Sequence, residues 1–256
     1  SPRAAEICAE AGVGYVDLSG NCRLTFGQTY IERQGNPNQF ARKRELRSLY
    51  SPKATRILRV LLVRPERVWK VGDLADEAQV SIGLCSKVKG LLEDREWIRA
   101  SKDGVTLTAP EELLSEWAEN YSYRKNRIRD YYSLRSAADI EADLATLCKE
   151  KGLRYGLTMF SGAARLAVAV RYKRVFAYVE ESDEGIASEL QLKKVTSGAN
   201  VSLLTPYDEG LFYGAREYEE VNVVSPVQVY LDLQGFRGRG EETARALLEE
   251  VIKAQW

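Results

Sequence analysis

The segment from Ser51 to Thr108 constrains this chain most, because it carries a start or stop signal wherever a small helical module needs one. Ser51-Pro52 offers an N-cap followed by a proline whose fixed φ and missing N–H suit the first helical position. Ile57, Leu58, Leu61 and Leu62 then share one side of a helix predicted over 52–64, and Pro65 stops it. Val71, Leu74, Ala75 and Ala78 repeat the i, i+3, i+4, i+7 spacing in a second helix over 71–79. Ser81 caps a third that runs through Glu93, with Leu84, Val88, Leu91 and Leu92 facing inward. Two strands follow, 97–101 and 105–108, around Lys102-Asp103-Gly104, where Asp-Gly signals a tight hairpin turn. Helices with a short turn before the third, closed by a hairpin, make a winged helix-turn-helix, and we place that module at 46–110.

Beyond the module the pattern changes. Residues 111–136 interleave Trp117, Tyr121, Tyr123, Tyr131 and Tyr132 with Arg124, Lys125, Arg127 and Arg129, and read as a helical connector. From 137 to 256 helical and strand patterns alternate: helix 137–151, strand 155–159, a helix from Ser161, strand 174–180, helix 184–191 and strand 201–205. Short strands at 211–213 and 219–223 follow, then a helix capped by Ser225-Pro226 and another over 241–254. Such alternation predicts a C-terminal α/β domain. Residues 1–45 form a short α/β segment, with a helix over 2–11 and strands 13–18 and 24–32 about a turn at Ser19-Gly20-Asn21. The fold class expected is α+β and multidomain: a winged helix-turn-helix followed by a C-terminal α/β domain, with the short segment in front.

What is missing narrows the chemistry. The 256 residues include no histidine, which excludes serine–histidine and cysteine–histidine nucleophile systems and removes the commonest transition-metal ligand. Cys8, Cys22, Cys85 and Cys148 lack the paired spacing of zinc sites or disulfide frameworks and read as reduced thiols. With no secretory pattern at the start and no apolar run near the ~18 residues a bilayer requires, a cytoplasmic location without membrane contact is expected. No cofactor is expected.

Charge points to a polyanion. The net charge of zero divides into 23 basic against 18 acidic residues over 1–136 and 14 against 19 over 137–256. Arg42 to Lys70 alone holds ten basic residues against Glu45 and Glu66, a run able to neutralise phosphates. On the third helix the outward residues Ile82, Gly83, Ser86, Lys87, Lys89 and Gly90 are mostly small or basic, so the helix can lie deep in a major groove. Ser86 and Lys89 then reach base edges or phosphates, the helix start at Ser81 receives a phosphate, and Arg99 and Lys102 on the wing touch the adjacent backbone. The expected DNA-binding set is Ser81, Ser86, Lys87, Lys89, Arg99, Lys102, Arg56 and Arg59, the partner is double-stranded DNA, and a homodimer is compatible with it.

Asp17 and Glu32-Arg33-Gln34 resemble the Asp…Glu-x-Lys pattern of restriction-endonuclease-like nucleases, in which two carboxylates hold magnesium and a lysine orients water. Gln34 stands where that lysine would be and the motif is short, so the expectation is a chance match with no metal site, the alternatives being a magnesium site at Asp17 and Glu32 or a nuclease remnant that only binds. A nucleotidyltransferase-like enzyme in the C-terminal half and a protein–protein assembly module complete the alternatives. Ser161-Gly162 and Gly235 to Gly240 fit a helix cap and an interhelical loop better than phosphate cradles.

The stretch Ser225-Pro-Val-Gln-Val-Tyr-Leu-Asp-Leu233, followed by Arg237-Gly-Arg-Gly-Glu-Glu242, is similar to the end of the AbiEi-like antitoxins of type IV toxin–antitoxin systems. Tyr155-Gly-Leu-Thr-Met-Phe-Ser-Gly162 fits the same family, and with the winged helix the resemblance covers 51–256. It implies a transcriptional regulator rather than an enzyme, one that represses its own operon and counteracts a nucleotidyltransferase-like toxin without tight contact.

Overall fold

The computed structural model describes residues 2–36, 49–166, 170–180, 183–236 and 238–256, which fall into two compact units, Ser1–Leu49 and Tyr50–Trp256. In the first, α1 (Pro2–Glu10) runs to Gly12, whose φ of 66° suits a helix end, and leads into an antiparallel sheet of β1 (Tyr15–Val16), β2 (Cys22–Phe26) and β3 (Thr29–Arg33). The expected strand over 24–32 is in fact a hairpin. Gly27 takes φ 58° and the chain doubles back, so that Leu24 pairs with Ile31 and Thr25 with Tyr30. One apolar-rich run thus holds two strands because a single glycine in it supplies the turn.

The second unit begins with α2 (Pro52–Val63), α3 (Val71–Glu77) and α4 (Ile82–Glu93), then the hairpin β4 (Ile98–Ala100) and β5 (Val105–Leu107). Three helices and a two-stranded hairpin thus follow one another in the order expected from the sequence. Helix α5 (Pro110–Asn120) follows, but the helical connector expected as far as 136 is corrected: Arg127–Tyr132 is a strand, β6. Its residues 127–131 pair with β10 (Val201–Thr205), Tyr131 opposite Val201 and Arg127 opposite Thr205. Aromatic residues suit strands, and a partner some 70 positions away decides the matter, which local spacing does not reveal.

The remaining elements are α6 (Ala137–Lys151), β7 (Tyr155–Leu157), α7 (Met159–Arg165), β8 (Val175–Val179), α8 (Asp183–Glu189) and β9 (Lys193–Lys194), then β10, β11 (Arg216–Tyr218), β12 (Val221–Val223), α9 (Pro226–Gln234) and α10 (Arg239–Leu247). The strands form one mixed sheet in the order β11-β12-β7-β8-β10-β6-β9. Strands β8 and β10 lie parallel at its centre, and β8 is buried throughout, the signature of a sheet covered on both faces. Helix α6 is capped by the Ser136 hydroxyl and closed by Gly152 at φ 66°. The expected strand at 211–213 is a 3-10 turn, Glu209–Phe212, capped by Asp208, and the one at 219–223 is the second arm of the β11–β12 hairpin.

Helix α2 is buried nearly all round, with Ala54, Thr55, Ile57, Leu58, Arg59, Val60, Leu61 and Leu62 inaccessible. It touches α3, α4 and α5 on one side and α9 and the Glu209–Phe212 turn on the other. The helical module and the sheet domain therefore share a core through α2.

Candidate nucleic-acid interface

Helix α4 starts cleanly. Ser81 adopts extended backbone angles and its hydroxyl accepts the Leu84 N–H at 3.3 Å, answering one of the unpaired donors of the first turn. Cys85, Val88, Leu91 and Leu92 are buried beneath the helix, while Leu84, expected among them, is only half-buried. Ser81, Ile82, Gly83, Ser86 and Lys87 are exposed along its first two turns. Lys89 lies beside them and pairs with Glu93 one turn on at 2.7 Å, so the outer face is uncharged or basic at its N-terminal end and acquires a carboxylate only near its C-terminus.

The β4–β5 hairpin stands next to this face in sequence and carries Arg99 and Lys102, both exposed. Ser101 and Gly104 bond to each other across the turn, which leaves Lys102-Asp103 at the tip rather than the expected Asp103-Gly104. Gly104 takes φ 144° because Trp69 runs alongside: Trp69 and Val105 exchange N–H···O bonds of 2.9 and 2.7 Å, and a Cβ on Gly104 would stand 2.6 Å from the Trp69 carbonyl oxygen. Trp69 is itself buried, and the exposed Arg67 lays its guanidinium 3.9 Å from the ring centroid. The loop before α3 thus adds Arg67 and Lys70 to the exposed cations, a feature the sequence showed only as part of a basic run.

Arg56 and Arg59 do not belong to that surface, and their assignment to DNA is corrected. Arg56 makes a bidentate pair with Asp208 at 2.8 and 3.0 Å and also reaches Glu209 at 3.3 Å. Arg59 is 3% exposed: its Nη1 donates to the Gln228 Oε1 at 2.7 Å, and its guanidinium lies 5.1 Å from the Trp117 ring. Both face the sheet domain because α2 is a core helix. Of the other residues in the basic run, Arg42, Lys43, Arg44 and Arg47 lie outside the described residues, whereas Lys53, Arg64, Arg67 and Lys70 are exposed.

Behind Arg59 lies a buried polar network. Gln228 Nε2 donates to Asp232 Oδ1 at 2.8 Å and to the Tyr121 hydroxyl at 2.9 Å, Tyr121 and Tyr178 donate to the same Asp232 oxygen at 2.6 and 3.0 Å, and Thr158 donates to the other at 2.5 Å. Burial pushes the Asp232 carboxyl above the usual range, against the pull of these four donors. Burial likewise lowers the Arg59 guanidinium, whose Nε has no hydrogen-bond partner among the described residues. Gln228 mediates between two charges that ion pairing alone does not satisfy. Tyr213 adds a lateral tie, donating to Glu77 of α3 at 2.7 Å.

In the first unit Asp17 serves its own turn. Its carboxylate accepts the backbone N–H groups of Ser19 and Asn21 and the Asn21 side-chain amide, an arrangement that holds it below the usual carboxylate range. Glu32 accepts from Tyr30 and Gln34, both at 2.6 Å. Among the described residues no group of three or more histidine, cysteine, aspartate or glutamate side chains could hold a metal ion, and no helix is long and apolar enough to cross a membrane. Cys85 and Cys148 are buried, which pushes both thiols up to about 11.

In comparison with known families, residues 106–253 fit the profile of a family described as transcriptional regulator, AbiEi antitoxin, type IV TA system. The matched span runs from β5 through the C-terminal helices, and α2, α3 and α4 precede it. No curated protein and no solved structure matches the chain.

Proposed function

This chain belongs to the AbiEi antitoxin family of type IV toxin–antitoxin transcriptional regulators, and from that premise we propose that it is a sequence-specific DNA-binding repressor of its own operon, reading the major groove with α4. One observation carries the reading. The first two turns of α4 expose Ser81, Ile82, Gly83, Ser86 and Lys87 with no acidic residue among them, while the opposite side of the helix is built into the module. A helix presented in that way, with Arg99 and Lys102 on a neighbouring hairpin, meets the two needs of duplex recognition: small side chains for close approach and cations for the phosphates on either side.

In this reading Ser81, Ser86, Lys87, Lys89, Arg99 and Lys102 contact double-stranded DNA, with Arg67 and Lys70 added from the loop. The Lys89–Glu93 pair is no obstacle, since an exposed i, i+4 pair is worth less than about 1 kcal/mol and phosphate competes for the ammonium. Repression of the operon then limits a nucleotidyltransferase-like toxin without requiring that the two proteins meet, and the sheet domain keeps the reading module in place. No catalytic group or cofactor is needed for any of this.

A gel-shift titration against the chain's own upstream region at two salt concentrations tests the proposal. Binding that tightens as salt falls, with dissociation constants at least as tight as the ~10⁻⁶ M end of non-specific association, is the expected result. Absence of salt-sensitive binding at micromolar protein would count decisively against it.

A further inference from the structure

Ile82 stands apart from the core of the described residues. It opens α4, is 60% exposed and lies off the buried stripe of Cys85, Val88, Leu91 and Leu92. A single exposed isoleucine is ordinary on a protein surface. The company of this one is not, because Gly83 beside it has open space where a Cβ would stand, Ser86 follows one turn on, and nothing from Ser81 to Gly90 is acidic. Each neighbour has a natural counterpart on a duplex: phosphates attract Lys87, and a serine hydroxyl can serve several base edges. An isoleucine has one. Of the four bases only thymine presents an apolar group to the major groove, its C5 methyl.

We propose that Ile82 reads a thymine methyl, so that the duplex this protein selects carries an A·T pair where the N-terminal turn of α4 meets the bases. The assignment rests on the DNA-binding reading above and gives it a specific chemistry at one base pair.

The test uses the full chain and a duplex that the wild-type protein enriches from random-sequence DNA. Each thymine of that duplex is replaced in turn by deoxyuridine, which lacks only the methyl, and binding is measured for the wild type and for Ile82→Ala. The expected result is at least one thymine whose replacement weakens the wild type about fourfold, the effect of exposing one methyl, and leaves Ile82→Ala unchanged. Ile82→Ala should keep the wild-type melting temperature, which shows that the fold is intact. If no thymine is sensitive, or if both proteins lose equally, the assignment to Ile82 is overturned while the enrichment itself upholds DNA binding. If no duplex is enriched, the DNA reading falls and this one with it, and a protein partner becomes the occupant of the α4 face.

Discussion

Arg59 and Asp232 are where a single side chain matters most. Removing Arg59 leaves Gln228 Oε1 without its donor and opens a hole beside Trp117, so Arg59→Ala should lower stability by about 3 to 5 kcal/mol in urea titration. A loss below ~1 kcal/mol would show that the network is slack. Asp232 sets a pH dependence of definite sign. Its carboxyl is raised above 3.8 in the folded state, so it contributes stability that is fully present below that value and is lost as pH rises through the folded pKa. The stability of the wild type relative to Asp232→Asn should therefore fall as pH climbs from about 4, and a difference that grew with pH would reverse the assignment. In the sequence Arg59 looked like one more surface cation. The signal that it is not was the spread of Ala54, Ile57, Leu58, Val60, Leu61 and Leu62 around α2, too wide for a helix with one wet face.

Among the elements, the proposed function divides readout from anchoring between α4 and the β4–β5 hairpin. Alanine at both Ser86 and Lys89 should relax sequence preference, each good base-edge contact being worth about 1 to 3 kcal/mol, whereas alanine at Arg99 and Lys102 should weaken all sequences alike and flatten the salt dependence by about one unit of slope per contact. A competition series with the best and scrambled duplexes separates these outcomes, and unchanged preference in the first variant would remove α4 as the reading head. Gly104 tests the wing itself. At φ 144° and with its missing Cβ 2.6 Å from the Trp69 carbonyl, Gly104→Ala should cost at least about 1 kcal/mol and pull the hairpin from the loop that carries Arg67, visible as a change in Trp69 emission. These two elements were legible because their signals are local: Ser81 caps, Pro65 stops, and Lys102-Asp103-Gly104 turns. Strand β6 was not, because its pairing with Val201–Thr205 is written nowhere near it.

At the scale of the molecule, the helical module and the sheet domain share the buried helix α2. With α2 enclosed on both sides, a fragment of residues 50–109 should expose Leu58, Arg59 and Leu62, and circular dichroism should find it largely unfolded, while residues 50–256 melt cooperatively. A well-folded fragment would show that the module's own core suffices. The charge division read from the sequence has a place in the fold, since Asp208 and Glu209 of the acidic half meet Arg56 of the basic half across this same junction. The buried Arg59–Gln228–Asp232 chain has a consequence for descent. A shuffled gene that joined this sheet domain to a foreign helical module would set an unrelated side chain against Gln228 and leave its buried Oε1 without a donor. Under the proposed function, new operator specificity in this lineage is therefore expected to arise by substitution on the outer face of α4, with the two halves inherited together.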